Sequence, residues 1–299
     1  MSLDLQSDAF RQIVDENAEV RQLASDFKFT EGPVWMPDGS LHFSDMIADK
    51  RRRWHPSDGV SVVRHPSNKG NGMTLDNDGN VIVCEHVTSS VVREYPDGRR
   101  DTLAFHWEGK YLNSPNDVIV ASDGSIYFTD PTYGRMRGLG AERAPDLDFK
   151  GLYRIAPNGD LHLLRDDFGQ PNGLCFSPDE SLLYVNDTER SHIRVFAVDK
   201  DYEVTNESVF AENVSDSERA GHVDGMKTDE LGNVFVTGPG GIWVFSSQGE
   251  HIGVIGVPEI VGNLNWGGEE WKTLYIAAST SIYEIHLNVS GNRLGYMRG

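Results

Sequence analysis

NDVIVASDGSIYFTD, residues 116–130, reads as an oxygen-bearing side chain, a short β-rich run, an Asp-Gly turn and a second run rich in Ile, Tyr and Phe. Asp-Gly between two such runs is a hairpin signal, because the turn needs a positive φ that glycine adopts without steric penalty. The unit recurs as EGPVWMPDGSLHFSD (31–45), NGMTLDNDGNVIVCE (71–85), NGLCFSPDESLLYVND (172–187), DGMKTDELGNVFVTG (224–238) and NLNWGGEEWKTLYIAAS (263–279). The leading residues are Glu31, Asn71, Asn116, Asn172, Asp224 and Asn263, and the residues that follow them stand 40, 45, 56, 52 and 39 positions apart. That spacing is the period of a four-stranded propeller blade. Stretches such as SSVVREYPDGRRDTLA and GLYRIAPNGDLHLLRD supply two further strands per copy. The fold expected is therefore all-β: a six-bladed β-propeller with four-stranded antiparallel blades around a central channel.

The last copy continues only through SIYEIHLN, so VRQLASDF (20–27) is expected to complete its blade and close the ring. Residues 20–299 are then a single propeller domain, and residues 1–19 an N-terminal extension, partly helical from the spacing of Phe10, Ile13 and Val14. Two long connections, 131–151 and 213–223, are read as a lid over the channel, with plain surface loops as the alternative. The Lys50–Arg53 cluster reads as a solvated blade edge. A net charge of −19 argues against a nucleic-acid partner, which would call for a basic stripe. No apolar run reaches 18 residues and the N-terminus shows no signal pattern, so no membrane partner and a cytoplasmic location are expected. Cys84 and Cys175 lie in apolar runs and are expected to be buried, reduced thiols.

In a closed ring the six leading residues become symmetry equivalents that can converge on the axis. Glu31, Asn116, Asn172 and Asp224 together offer two carboxylates and two amides, enough charge to neutralise one divalent cation and four of the oxygens it needs. Calcium suits such a set, with Mg2+, Mn2+, Zn2+ or Fe2+ as other candidates. The plainer alternative, that these residues only close the turn entering each inner strand, is kept for Asn71 and Asn263. Those two are otherwise candidates to contact substrate.

At this point the segments TEGPVW, NSPNDV, YFTDPTYG, PNGL, VDGMKTD and VTGPGGIWVF resemble the motifs of the SMP-30/gluconolactonase family, and specifically its bacterial gluconolactonase branch. The resemblance runs in order from Phe29 to about Ile285. It implies a six-bladed propeller holding one divalent cation and hydrolysing sugar lactones, with Glu31, Asn116, Asn172 and Asp224 as the metal ligands. These are the four positions that the repeat also singles out. Where the family's animal lactonases carry a substrate-contacting Arg, this chain has Ser114, so Ser114 is a candidate substrate contact and the preferred lactone is open.

The expected chemistry is water attack on a lactone carbonyl polarised by the cation, with Asp224 as catalytic general base and a cation-activated water as the rival source of the nucleophile. His86, His222 and Tyr133 lie near expected channel-facing ends and are further candidates for substrate contact, with structural or solvated roles as the alternative for the histidines. No GxSxG or HExxH motif competes. Two other functions fit the same pattern. One is an organophosphate or aryl-ester hydrolase on the same site, the other a non-catalytic interaction propeller with a structural cation.

Overall fold

The computed structural model describes residues 7–297; the start of the N-terminal extension and the last two residues of the chain lie outside the described residues. Each repeat forms one antiparallel blade, ordered from the channel outward. The first blade comprises Thr30–Trp35, Leu41–Asp45, Lys50–His55 and Gly59–Arg64. Later blades begin with the inner strands Gly70–Leu75, Val118–Val120, Pro171–Phe176, Met226–Thr228 and Val261–Gly267. The sixth blade takes its outermost strand, Arg21–Ala24, from the N-terminal side, where it pairs antiparallel with Ser281–His286. The inner strands touch one another in cyclic order, which makes the six sheets a closed six-bladed β-propeller.

The hairpin turns follow the local chemistry. Gly39, Gly79, Gly124 and Gly232 all sit at φ between 80 and 91°, and Glu180 takes the left-handed position in the fourth copy. An aspartate opens most of these turns by receiving backbone N–H groups: Asp38 from Ser40, Asp76 from Asp78 and Asn80, Asp123 from Ser125, and Asp229 from Leu231 and Asn233. These four aspartates are thereby committed to backbone geometry.

The glycine after a leading oxygen has a different cause. A Cβ on Gly32 would lie 2.1 Å from the Asn71 carbonyl oxygen, and one on Gly173 would lie 2.1 Å from that of Asp224. Only a residue without a side chain lets neighbouring inner strands approach this closely around the axis.

The last residue of three copies also acts. Asp45 accepts from the N–H of Lys28, Asp130 from Asn113 and Ser114, and Asp187 from Gly169 and Gln170. Each carboxylate at the end of a second strand thus pins the segment that enters the inner strand of its own blade, fixing where the leading oxygen emerges.

Between blades the apolar faces merge into buried clusters, such as Ile82, Phe128 and Tyr153 between the second and third. The short helix Asp8–Ile13, capped by Ser7 Oγ on Phe10 N at 3.1 Å, lays Phe10 on the fifth blade, where a Cβ on Gly253 would strike its ring at 2.4 Å. The Lys50–Arg53 cluster departs from the expected solvated edge. Arg51 is buried and paired with Glu94, and Arg52 is paired with Asp45, because the third strand is covered by its neighbours. Cys84 and Cys175 are free and buried. Among the described residues no helix is long and apolar enough to cross a membrane. The far end of the channel is narrowed by Asn292–Gly295 to a space of about 60 Å³.

Candidate active site

At the opposite end the channel opens into a cavity of about 410 Å³. Its wall includes Glu31, Asn71, Asn116, Asn172 and Asp224, so five of the six leading oxygens meet in one space. His86, Tyr133 and His222 join them. Tyr133 and Leu139 come from the 131–151 connection and His222 from the 213–223 connection, so both long loops wall the cavity.

Two sequence candidates stand behind this wall. Asn263 donates to Glu31 Oε2 at 3.0 Å and holds it with the Gly32 N–H, which reaches the same oxygen at 2.6 Å. Ser114 is fully buried; its hydroxyl donates to the Pro131 carbonyl at 2.5 Å and accepts from Gly134 N at 2.9 Å, anchoring the root of the 131–151 loop.

The amides are oriented by a directed chain of hydrogen bonds. The Val223 carbonyl can only accept, so the Thr188 hydroxyl donates to it at 2.7 Å and in turn accepts from Asn172 Nδ2 at 3.0 Å. Asn172 Oδ1 is then the atom that accepts from Asn116 Nδ2 at 2.5 Å, and Asn116 Oδ1 accepts from Asn71 Nδ2 at 2.5 Å. Each oxygen in the chain keeps a lone pair beyond the one its neighbour occupies.

The carboxylates are strained electrostatically. Burial raises the Glu31 carboxyl to about 7, helped by the charge of Asp117, while its bonds from Asn263 and Gly32 oppose the rise. Asp224 is pushed well above the usual carboxylate range by burial first and then by the charges of Glu31 and Asp117. Asp117, one residue past Asn116, is itself buried and raised by burial, with Lys227 Nζ 3.9 Å away as its counter-charge. No Lys or Arg among the described residues is in the wall of the large cavity. Three carboxylates therefore crowd the axis against one ammonium, an arrangement that favours a bound cation.

The donor set fits a hard divalent ion: two carboxylates of excess negative charge, two amide oxygens whose direction is fixed, and no sulfur ligand. No three His, Cys, Asp or Glu side chains gather at metal-binding distance among the described residues. Half of this donor set is amide, as the sequence pattern requires.

Sequence reasoning missed the other wall residues: Phe29, Met46, Ile47, Leu139 and Thr188. A signal existed. Met46, His86 and Thr188 each follow the last residue of a copy's second strand, so the position after Asp45, Glu85 and Asp187 lines the cavity in three of the six copies.

Comparison with known proteins gives a consistent result. Residues 29–280 match the SMP-30/Gluconolactonase/LRE-like region. A gluconolactonase of Zymomonas mobilis is 34% identical over 301 residues, covering 93% of this chain and 84% of that protein. The pentonolactonase XacC of Haloferax volcanii is 26% identical over 83% of this chain and 81% of its own. A gluconolactonase from Xanthomonas campestris of known structure superposes with a TM-score of 0.89 at 31% identity, covering 96% of this chain and 95% of that one. The chain belongs to the SMP-30/gluconolactonase/LRE-like family.

Proposed function

We propose that this protein is a lactonase that opens a sugar lactone to the corresponding acid with the help of one divalent cation, Ca2+ being the best match to the donors. The observation that carries this reading is the convergence of Glu31, Asn116, Asn172 and Asp224 on one cavity, within a family whose similar members are named as lactonases. Those four residues would hold the ion. When bound, it would polarise the lactone carbonyl and stabilise the oxyanion that water attack creates.

The chain's own groups do the remainder. Asp224 is only partly covered and faces the cavity, so one of its oxygens can take the proton of the attacking water. Asn172, which lines the same cavity, favours the charged form of that carboxylate. Exposed His222 stands at the rim, placed to meet a substrate hydroxyl. Phe29, Met46, Ile47 and Leu139 make one side of the wall apolar, which suits the C–H face of a sugar ring and sheds water from the reacting carbonyl.

A substrate panel tests the reading: acid release from gluconolactone, xylonolactone, an aryl ester and a phosphotriester, each above its spontaneous rate, with and without chelator. The lactones are expected to be opened fastest, and chelator is expected to abolish the acceleration. Preferred cleavage of the phosphotriester or aryl ester would move the assignment to that chemistry. No acceleration with any substrate would reduce the site to a structural one.

A further inference from the structure

One buried acceptor in the cavity wall is left unused. Asn71 is 4% exposed, and its Oδ1 has no hydrogen-bond partner among the described residues. A buried amide oxygen without a donor is costly, and such an atom beside a substrate cavity points to a donor on the ligand.

The orientation of this amide is fixed independently from two directions. From one side, the chain that ends on the Val223 carbonyl requires Asn71 Nδ2 to donate to Asn116 Oδ1. From the other, His86 Nδ1 lies 3.1 Å from the Leu139 carbonyl, which only accepts, so the proton of the neutral ring sits on Nδ1. Nε2 is then a lone pair, and it accepts from Asn71 Nδ2 at 3.2 Å. Both ends demand the same amide group, so a flip of Asn71 would break two bonds at once. Its Oδ1 is the atom held free, in a residue that lines the cavity.

We propose that Asn71 Oδ1 reads a hydroxyl on the ring carbon next to the lactone carbonyl, and that His86 is the positioning residue that holds it for this purpose. The inference rests on the lactonase reading above. Asn71 is bonded directly to Asn116, one of the residues assigned to the carbonyl's cation, so the substrate group beside Asn71 is the one nearest the carbonyl. That group on an aldonolactone is the 2-hydroxyl. Oδ1 can accept but never donate, so a hydroxyl satisfies it and a deoxy or 2-O-methyl carbon leaves it unpaired.

The test compares gluconolactone with its 2-deoxy and 3-deoxy forms on the unaltered protein, and measures by calorimetry the binding of the hydrolysis-resistant lactams with and without the 2-hydroxyl. The 2-deoxy lactone is expected to lose at least about tenfold in kcat/KM, the 2-deoxy lactam a similar factor in affinity, and the 3-deoxy lactone distinctly less. Asn71→Leu is expected to bring the ratio of kcat/KM for the 2-hydroxy and 2-deoxy lactones close to one, on top of a fall in rate common to both that follows from the lost bond to Asn116. His86→Phe is expected to shrink the discrimination, mainly through KM. Equal handling of the 2-hydroxy and 2-deoxy compounds, or discrimination that survives Asn71→Leu, would overturn the inference while leaving lactone hydrolysis in place. Absence of any lactone hydrolysis is a failure of the lactonase reading, and the lactam binding then decides the Asn71 inference by itself.

Discussion

Replacing Lys227 by Met probes the charge balance on which the site depends. Lys227 Nζ lies 3.9 Å from Asp117 Oδ2, with 15% and 3% of the two side chains exposed. That carboxylate oxygen has no hydrogen-bond partner among the described residues, so the ammonium is its compensation. At an effective dielectric near 20, this separation corresponds to about 4 kcal/mol of attraction, and removing one member of a buried pair costs about 3–5 kcal/mol in comparable cases. Lys227→Met is therefore expected to lower stability by about 3 kcal/mol. In an Asp117→Asn background the same change is expected to cost under about 1 kcal/mol, because no charge is left unpaired. Urea unfolding of the four proteins in chelator gives the cycle directly. The change should also tighten cation binding severalfold, since Glu31 and Asp224 then sit in a more negative well. A Lys227→Met cost that is the same with and without the Asp117→Asn change would show that the two charges are not coupled and that the axial balance has been misread.

Three further outcomes follow from separate parts of the molecule. Burial and the neighbouring charge of Arg51 hold His42 down at about 4 against an ordinary 6.5, so the unfolded chain takes up its proton first as pH falls. Stability from this group is present above pH 6.5 and lost on the way to pH 4, by up to about 3 kcal/mol, and His42→Leu should flatten that part of the stability profile. Ser114→Ala removes both bonds at the root of the 131–151 loop, and trypsin cleavage at Arg135, Arg137 and Arg143 should quicken severalfold while the propeller's unfolding midpoint moves little. Asn263→Leu leaves Glu31 Oε2 with only the Gly32 N–H, and calorimetric titration should show cation affinity reduced about tenfold or more, with activity restored at high metal.

The blades were legible because their strand pairs are local and their turns need residues of unusual backbone geometry; Gly39, Gly79 and Gly124 announce three of them. The convergence of Glu31, Asn116, Asn172 and Asp224 was legible too, since closing a ring makes equivalent positions neighbours. What single residues do once there was harder to read. Asn71 and Asn263 occupy equivalent places in the repeat, yet one lines the cavity while the other donates to Glu31 from behind it, a difference the repeat does not show. Ser114 sits two residues before Asn116, but Pro131 and Gly134 of the loop fold over it. Phe29, Ile47 and Leu139 in the wall have no periodic mark, because they come from loop ends whose paths depend on packing. The aspartates that pin the inner strands, Asp45, Asp130 and Asp187, were in plain view as the last letter of three copies.

The central claim is that a cation held by Glu31, Asn116, Asn172 and Asp224 is needed for lactone opening. Its most direct test is titration of chelator-stripped protein with Ca2+ while gluconolactone hydrolysis is followed above the spontaneous rate, for the unaltered chain and for Asp224→Asn. The account predicts activity returning with one ion per chain in the first, and at least about a hundredfold less activity at any metal concentration in the second. Full lactone hydrolysis in the stripped protein, unchanged by Ca2+ and by Asp224→Asn, would contradict it.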